Sequence, residues 1–209
     1  SVVSANPAAG FSIVSYTGNV TQGATFGHGL SSAPNMIIIK SRTTALPFTI
    51  YNSNIGATKY LYLPSSNGAG IYDFWNNTDP TDTVVNLSSD VNVNGTLPML
   101  AYCFAEVAGF SKFGSYNGSS SDVYINCGFE PAFVIVKCTN IVNNWYMIDN
   151  KRGATSPNSV ALFPNLSNAE INGYGIYFDS TGFTVSSGVG SGTNASGGTY
   201  IYMAFANQF

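Results

Sequence analysis

Few side chains in this sequence could carry reaction chemistry, and most of those are isolated. His28, in Gly27-His28-Gly29, is the single histidine. One imidazole without a nearby Cys or carboxylate constellation makes neither a zinc site nor the base of a nucleophilic triad. Its simpler reading is a turn or strand-end residue. Asp73, Asp79 and Asp82, with Asn76 and Asn77 between them, form the densest acidic segment. Oxygen ligands so close together could hold Ca²⁺, but the spacing matches no EF-hand loop, and Asp and Asn are ordinary turn formers. Asp149 and Glu170 could be paired as glycosidase carboxylates, a pairing that rests on availability alone. No nucleophile elbow, zincin motif or phosphate-binding loop is present. The expectation is therefore no catalytic residues, no metal and no cofactor. Two tryptophans remain. Trp75, at a loop edge in Phe74-Trp75-Asn76-Asn77, could stack on a sugar ring with the two asparagines as hydrogen-bonding neighbours. Trp145, in a predicted strand, could do the same, although a core position suits it better.

The elements that would position these residues are strands. The chain has 209 residues, of which 44% are hydrophobic and only 8% charged, and it carries 14 Phe and 13 Tyr. Roughly a quarter of an ordinary soluble protein is charged. Here hydroxyls and amides must solvate the surface instead, a composition common outside cells and on virions. A net charge of −3 with seven Lys and Arg spread along the chain leaves no basic stripe for nucleic acid. No apolar stretch approaches the ~20 residues of a membrane helix. Three cysteines make a poor disulfide framework, and reduced thiols are expected. A chain that starts at Ser1 reads as a fragment or a processed product.

Short runs of Val, Ile, Tyr and Phe between Gly, Asn, Ser and Pro clusters predict strands near 11–16, 24–28, 35–41, 47–52, 60–63, 71–75, 83–87 and 98–106. A second set is predicted near 110–116, 122–127, 132–138, 144–149, 159–163, 174–178, 183–186 and 199–206. A single helical turn is expected near 165–170. The five-residue loop 139–143 predicts a hairpin that sets Trp145 across from Lys137.

The two sets of strands answer each other. Gly10-Phe11-Ser12 returns as Gly109-Phe110-Ser111, and Ser15-Tyr16-Thr17-Gly18 as Ser115-Tyr116-Asn117-Gly118. Met36 to Lys40, behind Pro34, answers to Phe133 to Lys137, behind Pro131. Leu63-Pro64 matches Phe163-Pro164, and Phe104-Ala105 matches Phe205-Ala206. A period of about 100 residues is that of a whole small domain. The expected fold is all-β: two tandem jelly-roll-like β-sandwich domains, residues 1–107 and 108–209. The segments that fail to repeat are 65–82, 139–144 and 186–198, so any divergence of function belongs there.

The repeated strings resemble a family, the repeated C-terminal domains of tail-fibre and other tail-associated proteins of bacteriophages, especially phages of marine bacteria. Carrying the resemblance are Ser15 to Asn19, His28-Gly29-Leu30 with Ala33-Pro34, and Thr58 to Leu63. Further matches are Ala101 to Glu106, Gly109 to Tyr116, Gly128 to Val134 and Ser196 to Ala206. This chain departs from the family at Cys138, in a short loop after Ser119, and at Thr96 to Pro98. The resemblance implies a virion structural protein assembled in the host cytoplasm and displayed on the virion surface. It would be the C-terminal part of a tail fibre or adhesin, with other virion subunits and a host surface glycan or outer-membrane protein as partners. It also implies a homo-oligomer, a trimer by analogy, without nucleic acid or membrane insertion. Two other readings stay open: a capsid decoration or fibre-shaft module without a receptor, and a glycan-degrading virion enzyme. If the chain binds a glycan, Trp75, Asn76, Asn77 and Trp145 are the residues the sequence offers.

Overall fold

The structure, a computed structural model, describes residues 1–155, 158–187 and 192–207. It is built almost wholly of antiparallel strands and divides into two compact units. Unit 1 comprises Ser1–Leu63 and Ala69–Glu106, and unit 2 comprises Pro64–Gly68 and Val107–Phe209. The short segment Pro64–Gly68 thus belongs with the second half of the chain. Among the described residues no helix is long and apolar enough to cross a membrane.

Unit 1 contains β1 (Val2–Asn6), β2 (Phe11–Thr17), β3 (Ala24–Gly27), β4 (Met36–Ser41), β5 (Thr49–Asn52), β6 (Lys59–Tyr62), β7 (Gly70–Ile71), β8 (Val84–Leu87) and β9 (Pro98–Phe104). Seven of these form one sheet in the order β1-β2-β9-β4-β5-β6-β7, while β3 and β8 form a separate two-stranded ribbon. Strand alternation explains the packing. Ser12, Val14 and Tyr16 of β2 point inward while Phe11, Ile13 and Ser15 are half-buried. The inward face of the large sheet supplies Val14, Ile37, Ile39, Met99 and Ala101, and the ribbon supplies Phe26, Val85 and Leu87. Each of these side chains larger than alanine contributes about 1.5–3 kcal/mol on burial. The Tyr16 and Phe26 rings stack at 4.9 Å. The single α-turn, α1 (Val91–Asn94), is capped by Asp90, whose side chain accepts from the Asn92 N–H.

Unit 2 contains β10 (Ser111–Asn117), β11 (Val123–Asn126), β12 (Pro131–Cys138), β13 (Trp145–Asp149), β14 (Ala154–Thr155), β15 (Asn158–Leu162), β16 (Ile171–Asn172), β17 (Ile176–Asp179), β18 (Gly182–Val185) and β19 (Thr199–Ala206). Its main sheet runs β10-β19-β12-β13-β15-β14, with β16 also on β15, and its smaller sheet runs β11-β18-β17. The core gathers Val134, Val136, Ile148, Ala161, Phe183, Val185, Tyr200 and Ala204. Register places Lys137 opposite Trp145 in the β12–β13 hairpin.

The two units share a central strand order, β2-β9-β4-β5-β6 in unit 1 and β10-β19-β12-β13-β15 in unit 2, and the same buried polar ties. The Tyr16 hydroxyl donates to Val93 O at 2.6 Å, and the Tyr116 hydroxyl donates to Thr193 O at 2.6 Å. Asn94 accepts from Asn19 N–H and donates to Thr21 O and Ser88 O. Asn194 likewise accepts from Ser119 N–H and donates to Ser121 O and Val185 O. Burial holds both tyrosines protonated far into the alkaline range.

Several sequence expectations need correction. No helix forms at 165–170, because Asn165 uses its side chain elsewhere, accepting from Trp145 N–H and donating to Asn144 Oδ1. The expected strand 71–75 is only Gly70–Ile71, after which Phe74 and Trp75 turn into the core. The expected strand 174–178 shifts to Ile176–Asp179. β1, whose residues are all exposed, has no apolar alternation and was not anticipated.

Lys137 is fully buried, a rare state for lysine. Its ammonium donates to Asn143 O at 2.7 Å and Ser66 O at 3.0 Å, and Asn143 N–H donates to the same Ser66 carbonyl at 2.7 Å. The lysine therefore pins Pro64–Gly68 into unit 2. Burial lowers its pKa from 10.5 to about 8. A lysine with a lowered folded pKa binds fewer protons folded than unfolded between those values, so its contribution to stability rises with pH across that window. Denaturant unfolding of the wild type and Lys137→Met from pH 7.5 to 10.5 should show the wild type gaining on the variant as pH rises. A pH-independent difference would refute the buried-ammonium account.

Candidate functional site

Residues 69–82, the part of the non-repeating segment 65–82 that belongs to unit 1, contribute to a surface groove of that unit. After β7 the chain is tied by Tyr72 N–H to Thr58 O at 3.3 Å. Phe74 then plunges inward, its ring edge-on to Tyr60 at 4.8 Å and tilted on Tyr72 at 4.6 Å. Trp75 follows, donating its indole N–H to Lys59 O at 3.2 Å and meeting Tyr51 edge-on at 5.6 Å. These two buried anchors leave the chain facing outward. It reverses through Asn76 and Asn77, whose φ values of 53° and 45° lie in the left-handed region that asparagine tolerates better than most residues.

The segment just before this reversal forms one wall of an open groove of about 510 Å³. Tyr72 and Asp73 line it on this side, and Ser88, Ser89, Asp90 and Val91 line it on the other. Gln22 bridges the walls. Its Nε2 donates to Asp73 Oδ2 at 3.0 Å and to Asn76 Oδ1 at 2.6 Å, while its Oε1 accepts from Ser89 N–H at 3.0 Å. Asp73 also accepts from Asn77 N–H at 2.9 Å. The Tyr72 hydroxyl donates to Asp90 Oδ2 at 3.0 Å, so the phenol is oriented while half of the residue, 50%, stays exposed. The hydrogen bond to Asp90, together with its negative charge, raises the Tyr72 pKa. Val91 and Ile71 add exposed apolar surface beside the ring. A fixed, half-exposed aromatic next to carboxylates and amides can stack on C–H faces and accept hydrogen bonds from hydroxyls. No Lys or Arg lines the groove.

Among the described residues, unit 2 does not repeat this surface. Gly173 N–H bonds Ser159 O at 2.8 Å, as Tyr72 N–H bonds Thr58 O, so a glycine stands where Tyr72 stands. Ser186 N–H bonds Gly175 O at 2.7 Å, as Ser88 N–H bonds Phe74 O at 2.9 Å. The bridge from Gln22 to Ser89 is matched by Asp122, which accepts from Ser187 N–H at 2.8 Å. The framework is shared, and the aromatic belongs to unit 1 alone. Within the non-repeating segment 186–198, residues 188–191 lie outside the described residues.

The sequence-nominated residues fare unequally. Trp75 is 0% exposed and Trp145 is 1% exposed, so neither ring can serve as a sugar platform. The first is consumed by the core below the groove, and the second lies in β13 opposite Lys137. Asn76 belongs to the groove through Gln22, and Asn77 shapes its wall. Sequence reasoning missed Tyr72, Gln22 and Asp90. Gln22 carries no local signal, because its partner Asp73 is 51 positions away.

His28 is buried, accepting at Nδ1 from Leu30 N–H at 3.2 Å and facing Thr81 O through Nε2 at 3.2 Å. That arrangement fits a neutral, Nε2-protonated ring, and burial lowers its pKa. The acidic residues are dispersed: Asp79 accepts from Tyr51 Oη and Ala57 N–H, whereas Asp73 faces the groove. Among the described residues no three His, Cys, Asp or Glu converge on a point that could hold a metal. Asp149 is paired with Arg152 at 2.5 Å and caps the turn behind β13. The three cysteines are buried and form no disulfide.

A family model described as Domain of unknown function (DUF7483) matches residues 1–208, nearly the whole chain, and the chain belongs to that family. Neither the curated proteins nor the solved structures contain a significant match.

Proposed function

We propose that this member of the DUF7483 family is a bacteriophage virion protein, the C-terminal part of a tail fibre or adhesin. In this reading the groove of unit 1 binds a glycan on the host surface. One observation carries the reading: Tyr72 is held half-exposed by Asp90 in a polar groove, and unit 2, which shares the surrounding framework, has a glycine at that position. The family-like strings along the chain support the virion assignment, and the low charge with abundant Ser, Thr, Asn and Gly suits an exposed particle surface. Binding is reversible. The ring supplies stacking area at little entropic cost, while Gln22, Asp73, Asn76 and Asp90 supply acceptors and donors for hydroxyls. Two carboxylates without a basic neighbour favour neutral or amino sugars over acidic ones. Single-site affinity would be weak, and repetition on a multi-copy fibre would raise it by avidity.

The competing readings are a structural module with no receptor and a glycan-cleaving enzyme. Fluorescent protein applied to host cells separates them. The expected result is saturable binding that disappears when surface polysaccharide is stripped and weakens at least tenfold in Tyr72→Ala, with unchanged thermal stability. Binding to neither cell preparation would support the structural module, and oligosaccharide release during incubation would support the enzyme.

A further inference from the structure

Unit 1 has a strand for which unit 2 has no equivalent among the described residues, and unit 2 keeps the seat for it. In unit 1, β1 runs antiparallel along β2, with Val2 opposite Ser15, Val3 opposite Val14 and Ala5 opposite Ser12. Its side chains cover Gly29: a Cβ added there would lie 2.8 Å from Val3 Cγ1 and 3.1 Å from Ala5 Cβ. Gly29 has a φ of 71° and follows His28, whose N–H bonds Thr83 O at 3.4 Å. Unit 2 repeats that corner. Gly128 has a φ of 80° and follows Cys127, whose N–H bonds Thr181 O at 2.9 Å. Around the Cβ position of Gly128 no atom of the described residues lies within 4 Å.

The strand that would flank this space is β10, which stands at the end of its sheet. It is the counterpart of β2. Tyr16 and Tyr116 make the same hydroxyl bond, and Ala105 N–H to Gly10 O at 2.7 Å is matched by Ala206 N–H to Phe110 O at 2.7 Å. Gly114 and Ser115 therefore occupy the positions that Val14 and Ser15 offer to Val3 and Val2.

We propose that this edge of unit 2, along Gly114 and Ser115 and over Gly128, accepts an extended strand donated by another polypeptide chain. β1 defines the occupant. It is uncharged, runs antiparallel to β10, and places side chains of valine and alanine size over the glycine. Backbone hydrogen bonding to the sheet edge supplies affinity, and the small apolar residues supply selection. A bulkier or charged residue at those two positions would collide with the corner or lose hydration. The site is separate from the groove of unit 1, and it stands whether or not the groove binds a glycan.

The chain's own β1 sequence is a suitable probe. Residues 1–6 are appended behind residue 209 through a Gly/Ser linker of about 15 residues, whose root-mean-square span of roughly 21 Å suits the return along β10. Hydrogen–deuterium exchange at Gly114 and Ser115 is then compared with that of the unmodified chain. The expected result is at least tenfold slower exchange of the edge amides in the fusion. A second fusion carrying Lys in place of the appended Val3 and Ala5 should exchange like the unmodified chain. No slowing in the first fusion, or equal slowing in both, overturns the proposal.

Discussion

Replacing Asn94 with alanine should destabilise the protein by about 4 kcal/mol, because one buried amide satisfies three backbone groups and each buried group left unpaired costs about 1–3 kcal/mol. Asn94 accepts from Asn19 N–H at 3.0 Å and donates to Thr21 O at 2.9 Å and Ser88 O at 2.8 Å. Those bonds tie the loop carrying Gln22 to the strand end carrying Ser88 and Ser89. Asn194 holds the same three kinds of partner in unit 2, at 2.8, 3.0 and 3.2 Å. Asn194→Ala should therefore cost a similar amount in urea unfolding. The two variants should part in binding: Asn94→Ala loosens the Gln22 bridge and the Ser88 wall of the groove and weakens glycan binding, while Asn194→Ala leaves binding intact under folding conditions. A cost below about 1 kcal/mol for either would show that water replaces the amide, contrary to the buried geometry described above.

Trp75→Ala should cost about 4 kcal/mol, in the range of large aromatic deletions from a core. The ring is fully buried, its N–H is bonded to Lys59 O, and its edge contacts Tyr51. Deletion leaves a cavity and a carbonyl without its donor, under the turn that carries Asn76 and Asn77. Trp75→Phe keeps most of the volume and should cost less than half as much. A sugar-platform tryptophan would behave in the opposite way, losing binding with little change in stability. Thermal or urea unfolding of the two variants decides between these roles, and full stability in Trp75→Ala would return the ring to the surface.

The strand framework was legible because period-two burial and repeated residues both reported it. Met36 to Lys40 and Phe133 to Lys137 read as buried strands from β-branched runs behind a proline, and the loop length alone set Trp145 across from Lys137. How the strands divide into sheets was not legible. Ladder partners such as β3 and β8 are separated by more than fifty residues, and nothing local marks them. β1 escaped notice because a strand held by one edge needs no apolar face. The aromatic at the site was misassigned for a physical reason. In Phe74-Trp75-Asn76-Asn77 the polar asparagines suggest an exposed loop, but the left-handed pair turns the chain immediately after the two aromatics have gone inward. Tyr72, three residues before Trp75, is left half-exposed, so within the segment 65–82 the buried Trp75 and the exposed Tyr72 exchange the places that the sequence suggests.

The central claim is that the groove of unit 1 is the contact surface for a glycan. Hydrogen–deuterium exchange of the intact protein, with and without polysaccharide purified from the host surface, tests it most directly. The account predicts slowed exchange confined to residues 72–77 and 88–91, abolished in Tyr72→Ala. Protection centred in unit 2, or protection of the groove that survives removal of the Tyr72 ring, would contradict it.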